Sequence, residues 1–136
     1  MPKATVKYHF GPRKDLCNIE FRSSWEANFA RILNLLGVQW EYEPRRFYLG
    51  STTYLPDFSL LSDNPWGVKW IEIKGLWHKG DKKRIKLFVN MYPDETIKVI
   101  AGKEYRKLAK KYGKLIPKWE GLYMAKSKGK GKKGGC

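Results

Sequence analysis

Tyr54-Leu55-Pro56-Asp57-Phe58-Ser59-Leu60-Leu61-Ser62-Asp63-Asn64-Pro65-Trp66-Gly67-Val68-Lys69-Trp70-Ile71-Glu72-Ile73-Lys74-Gly75 is the stretch on which the reading of the fold turns. Two apolar runs, 53–61 and 68–74, flank the turn-forming cluster Ser62 to Gly67, so the segment reads as a β-hairpin or a close strand pair. Asp57 falls on the first strand. Glu72 and Lys74 fall on the second, two apart, and leave the same face. Pairing the strands brings a carboxylate from each, plus an amine, to one point. Two converging carboxylates suit a hard cation such as Mg²⁺, and the Ile73 carbonyl between the side chains offers a further oxygen. An ammonium alongside would lower the pKa of a coordinated water or hold a phosphate oxygen. The same alternation also describes an ordinary amphipathic strand, with Glu72 and Lys74 a solvated pair worth under about 1 kcal/mol. Asp57 tips the reading toward a site, because Asp is depleted in strands and here stands inside an apolar run.

Composition sets the wider frame. A chain of 136 residues with 42% hydrophobic content builds one domain with a real core and is not a disordered chain. Its 28 basic and 13 acidic residues leave a net charge of +15, which favours a polyanionic partner, nucleic acid before anionic membrane. No run reaches the roughly 18 apolar residues of a spanning helix, and Met1-Pro2-Lys3-Ala4 is no signal core. Two distant cysteines, Cys17 and Cys136, point to a reducing compartment, no zinc site and no structural disulfide.

Outward from the central stretch, Ser23 to Leu36 is the clearest helix. Trp25, Phe29, Ile32, Leu33 and Leu36 form one stripe, and Gly37 ends it. Ser23-x-x-Glu26 is a capping box, so Glu26 has a structural task at hand. Strands are expected over 38–42, 47–49 and 96–101. Helices are expected over 81–90, with Asp81 as the cap, and over 103–112. Residues 1–22 read as a basic arm, with a short strand at Thr5–Phe10 and His9 packed or facing solvent. Residues 23–124 form the main domain, and 125–136 are a Lys/Gly-rich disordered tail that adds salt-sensitive affinity for DNA.

Basic residues of the arm and loops are the candidate phosphate contacts: Arg13, Lys14, Arg22, Arg45, Arg46, His78, Lys79, Lys82, Lys83 and Arg84. Arg31 is read as a further phosphate contact or surface charge. Cations crowding the first turn of a helix, as Lys82, Lys83 and Arg84 do, oppose its dipole, and a phosphate backbone nearby would compensate. Trp77, just after the second hairpin strand, reads as a lid over the core or as a stacking platform for an unpaired base.

Pro56-Asp57 followed by Glu72-Ile73-Lys74 resembles the P-D…(D/E)-x-K motif of the PD-(D/E)xK nuclease superfamily. The spacing from Asp57 to Glu72 lies within the range that superfamily tolerates. The expected order of helix, three strands, helix, strand covers about residues 20–101 and is similar to its core. The resemblance implies an α/β, restriction-endonuclease-like fold with a mixed central sheet flanked by helices. It implies catalytic Glu26, Asp57, Glu72 and Lys74, and one or two Mg²⁺ ions, replaceable by Mn²⁺, held by Asp57, Glu72, the Ile73 carbonyl and Glu26. Small size, the helix-borne Glu26 and the basic surface are similar to phage and archaeal Holliday junction resolvases and to phage junction endonucleases. On that resemblance the chain is a cytoplasmic homodimer acting on branched DNA and has no membrane partner. A nicking or restriction-like endonuclease on duplex DNA and a non-catalytic nucleic-acid-binding module are the alternatives.

Overall fold

The computed structural model describes residues 11–121, so the expected Thr5–Phe10 strand, His9 and the tail lie outside it. Two compact units are present: Val38–Gly102, and the described parts of Met1–Gly37 with Lys103–Cys136.

The first unit is a mixed sheet with a helix and a small ribbon. Its strands are β1 (Trp40–Tyr42), β2 (Phe47–Tyr48), β3 (Thr53–Tyr54), β4 (Phe58–Leu60), β5 (Trp70–Lys74) and β6 (Ile97–Ala101). The four-stranded sheet runs β1-β4-β5-β6, and β2 with β3 forms a separate antiparallel ribbon. β4 and β5 are the expected hairpin, paired antiparallel with Phe58 opposite Ile71 and Ser59 opposite Trp70. Asn64 builds its turn: Oδ1 accepts from the Trp66 amide at 3.0 Å, and Nδ2 donates to the Val68 carbonyl at 2.9 Å. β5 and β6 are parallel, which requires a crossover, and α2 (Asp81–Met91) supplies it; α1 (Ser24–Leu35) precedes it in the chain. The element order therefore fits a restriction-endonuclease-like α/β core, with the β2–β3 ribbon as an addition.

The run 53–61 is not one strand. It breaks at Leu55-Pro56-Asp57 between β3 and β4. Pro56 has no N–H for a ladder, and the Asp57 side chain takes over a ladder position: its Oδ2 accepts the Ile73 amide at 2.7 Å. β5 lies between β4 and β6, and Trp70, Ile71, Glu72 and Ile73 are all buried, so it is not the half-solvated strand that its alternation suggests. Phe47, Leu49, Tyr54, Trp70 and Phe88 form the core between ribbon, sheet and α2, with Ile85, Leu87, Tyr92 and Ile97 against it. Phe47 and Phe88 meet edge to face at 4.7 Å. Full burial of one such side chain contributes about 1.5–3 kcal/mol.

In the second unit, Ser23 caps α1 by accepting the Glu26 amide at 3.2 Å. Ala27, Phe29, Ala30, Ile32 and Leu33 are buried along it. Gly37 follows at φ 74°, a left-handed turn suited to glycine. Trp25 stacks on Tyr105 of α3 (Gly102–Tyr112) at 3.9 Å. A buried polar network ties this unit together. Arg13 makes two 3.0 Å bonds to Glu120, and Arg31 reaches Glu120 at 3.0 Å and Asp15 at 2.8 Å. Asn28 donates to the Glu120 carbonyl at 2.7 Å and to the Tyr105 hydroxyl at 3.1 Å. Burial raises the Asp15 carboxyl, but its bonds and attraction to Arg31 outweigh that and hold it below the ordinary value. Arg13 and Arg31, only 4% and 6% exposed, are therefore structural ion-pair partners. This corrects their expected phosphate-contact role, since burial and bonding to carboxylates remove both from reach of a backbone.

Candidate active site

The β4–β5 register sets the site. Phe58 faces Ile71, so Asp57, just before β4, stands beside the end of β5 that carries Glu72, Ile73 and Lys74. Its bond to the Ile73 amide fixes its carboxylate there. The N–H and C=O of one residue leave an extended strand on the same side, so the Ile73 carbonyl shares that side. Glu72 is 6% exposed, which rules out a solvated surface pair with Lys74.

Glu72 is held ionically on one oxygen only. Oε2 faces the Lys74 ammonium at 3.5 Å. Oε1 and the Tyr54 hydroxyl are both buried and make no bond of good geometry, and Tyr54 is the neighbour that most stabilises the Glu72 carboxylate. Burial pushes the Glu72 carboxyl above its ordinary range, and the neighbouring Tyr54, Lys74 and Asp57 backbone offset this only in part. Tyr54 responds to the same pair: burial first, then the Glu72 and Asp57 carboxylates, push its phenol far above the usual range. Tyr54 thus lies within electrostatic reach of both acids. A buried carboxylate this loosely bonded is one that a cation would stabilise further.

Lys74 does not rest on Glu72 alone. Its ammonium lies nearer Asp81 Oδ2, at 3.1 Å. Asp81 is not the cap of α2. Gly80, at φ 88°, holds that position, and Asp81 is the first helical residue. Its Oδ2 turns back to accept the His78 amide at 2.7 Å, and Oδ1 faces Arg84 at 3.4 Å. The His78 amide is the main cause of its lowered carboxyl pKa, which burial opposes and Lys74 supports. Sequence reasoning missed Asp81 and Tyr54 as members of the site. An acid in a first helical turn otherwise crowded with lysines was the available signal for Asp81, whereas Tyr54 gave none beyond its nearness to Pro56-Asp57.

Glu26 lies in the other unit, 8% exposed. Its amide completes the Ser23 cap, and its Oε1 accepts the Arg22 amide at 3.3 Å, one residue before the expected reach-back partner. Among the described residues, no three His, Cys, Asp or Glu side chains gather as a metal-binding group. Asp57 and Glu72 supply two carboxylates and Ile73 a carbonyl. That set fits Mg²⁺, which commonly takes one or two carboxylates and keeps several waters.

The remaining basic candidates divide by exposure. Lys14, Arg22, Arg45, Arg46, His78, Lys79, Lys82 and Lys83 are exposed, and Arg84 is half-buried. Arg45 stacks over Phe47 at 4.1 Å and pairs with Glu95 at 3.5 Å; Arg46 donates to Thr53 Oγ1 at 3.3 Å. Trp77 is 38% exposed and is not a core lid. It lies 5.7 Å from the Lys74 ammonium and 5.2 Å from that of Lys82.

Fold and site together describe an α/β domain with a restriction-endonuclease-like core and a buried acid pair at the end of its central hairpin. The chain belongs to the phage endonuclease I family, which matches residues 10–126. It is 32% identical over 106 residues to "Endonuclease I" of Escherichia phage T7, covering 72% of this chain and 68% of that protein. It is 33% identical over 94 residues to "Endodeoxyribonuclease 1" of Enterobacteria phage T3, covering 66% of this chain and 59% of that relative's length.

Proposed function

We propose that the chain is a divalent-metal-dependent DNA endonuclease, selective for branched substrates, that cuts four-way junctions as a phage-encoded homodimer in the host cytoplasm. The observation that carries the reading is the bond from the Ile73 amide to Asp57 at 2.7 Å, which fixes one carboxylate against the strand segment that bears buried Glu72 and Lys74. Family membership and the names of the two phage relatives support DNA cleavage. The resemblance to junction resolvases supports the branched substrate.

Asp57, Glu72 and the Ile73 carbonyl would hold Mg²⁺ or Mn²⁺. The bound ion supplies Lewis acidity toward the scissile phosphate and a lowered pKa for coordinated water. Lys74 donates to a phosphate oxygen and offsets the negative charge that grows as water attacks phosphorus in line. The bond from phosphorus to the 3′ oxygen breaks, leaving a 5′-phosphate. Asp57 also keeps the acid pair in register through the Ile73 amide. Lys79, Lys82 and Lys83 contact the backbone, and Trp77 offers its exposed face to an unpaired base. Symmetric cutting of a four-way junction needs two such sites, hence the dimer. No helix among the described residues is long and apolar enough to cross a membrane.

Labelled four-way junction and linear duplex of equal length, incubated with Mg²⁺, Mn²⁺ or EDTA, test the proposal. The expected result is paired cuts in the junction, dependent on the ion. Preference for duplex would assign a restriction-like or nicking enzyme instead. Binding without cleavage under either ion would leave a non-catalytic module.

A further inference from the structure

We propose that Asp81 is a positioning residue for Lys74, holding its ammonium at the acid pair independently of Glu72. The inference rests on the reading of the site given above. The Lys74 ammonium is 3.1 Å from Asp81 Oδ2 and 3.5 Å from Glu72 Oε2, so its closer anion is the one outside the candidate metal set. Asp81 is itself fixed on both oxygens, by the His78 amide at 2.7 Å and by Arg84 at 3.4 Å. The His78 imidazole Nδ1 faces it more loosely, at 3.8 Å. Lys74 ends β5 and Asp81 begins α2, so this ion pair joins the strand that carries the acids to a helix anchored by buried Phe88. With Lys74 17% exposed and Asp81 8% exposed at their side chains, water competes less for this contact than for a surface pair.

The consequence is chemical. A carboxylate that binds a divalent ion gives up much of its attraction for a neighbouring ammonium. If Glu72 were the sole partner, Lys74 would be released just when it has to meet the phosphate. Asp81 keeps it in place.

Asp81→Asn separates this role from loop shaping, because the carboxamide oxygen still accepts the His78 amide while the charge facing Lys74 is lost. The test compares wild type, Asp81→Asn, Asp81→Glu, Lys74→Gln and the Asp81→Asn/Lys74→Gln pair. Junction kcat and KM are measured with Mg²⁺. Melting temperature and the acylation rate of Lys74, read by peptide mass, are measured in the metal-free protein. Asp81→Asn is expected to lower kcat about 10–100-fold with KM little changed, and to speed Lys74 acylation. Asp81→Glu recovers part of kcat, and in the Lys74→Gln background Asp81→Asn costs nothing further. Wild-type kcat and acylation in Asp81→Asn, beside an inactive Lys74→Gln, would overturn the proposal while leaving the active site standing. So would equal losses from Asp81→Asn in both backgrounds. Full activity of Lys74→Gln would overturn it together with the reading of the site.

Discussion

Asp57→Asn isolates the charge of one acid while sparing the hairpin. The native carboxylate accepts the buried Ile73 amide at 2.7 Å, and the Asn oxygen can accept the same bond. A hydrogen bond to a charged acceptor contributes about 1.5–3 kcal/mol and a neutral one about 0.5–1.5, so the substitution loses about 1 kcal/mol. Relief of the repulsion between Asp57 and the buried Glu72 returns part of this. At about 4 °C per kcal/mol for a domain of this size, the melting temperature should fall by less than about 4 °C. Activity answers differently. Losing one of two charged ligands removes several kcal/mol of transition-state stabilisation, and about 4 kcal/mol corresponds to a thousandfold loss of rate. Single-turnover cleavage of a labelled junction, with band shifts in Ca²⁺ and a thermal melt, reads all three quantities. Folded, DNA-binding Asp57→Asn that cuts within about tenfold of wild type would refute the reasoning.

Other consequences are checked separately. Glu120→Gln leaves Arg13 and Arg31 buried beside an uncharged partner and should cost about 3–5 kcal/mol in urea unfolding; a loss under about 1 kcal/mol would show that the network carries little stability. The folded-state pKa of Asp15 lies below its ordinary 3.8, so its contribution is complete above 3.8 and drains away as pH falls through the folded value. Asp15→Asn should flatten unfolding free energy against pH in that acid range, and an unchanged slope would contradict the assignment. Replacing exposed Lys82 and Lys83 together by Ala should make the salt dependence of DNA binding shallower by about 2 in log–log slope, whereas an unaltered slope would place the backbone elsewhere.

Local chemistry made part of this legible in the sequence. The Ser23 cap, the apolar stripe of α1, the Asn64-centred turn and the strand character of β5 each depend on neighbours a few residues away. Asp57 declared itself because it was out of place in an apolar run. What escaped reading was set by distant partners. Arg13 and Arg31 looked like surface cations until Glu120 supplied a buried anion for both. Pro56 marked a possible break, but a side chain standing in for a strand carbonyl depends on where Ile73 arrives. Trp77 reads equally as lid or as exposed ring until the loop after β5 is placed. Asp81 resembled a helix cap because nothing in the sequence shows that Gly80 takes that position and frees the carboxylate for Lys74.

Calorimetric titration of Mn²⁺ or Mg²⁺ into metal-free protein tests most directly whether Asp57 and Glu72 form one cation site. Wild type should bind saturably, and Glu72→Gln, folded to the same melting temperature or above it, should lose that binding. Superimposable isotherms for the two proteins would contradict the account.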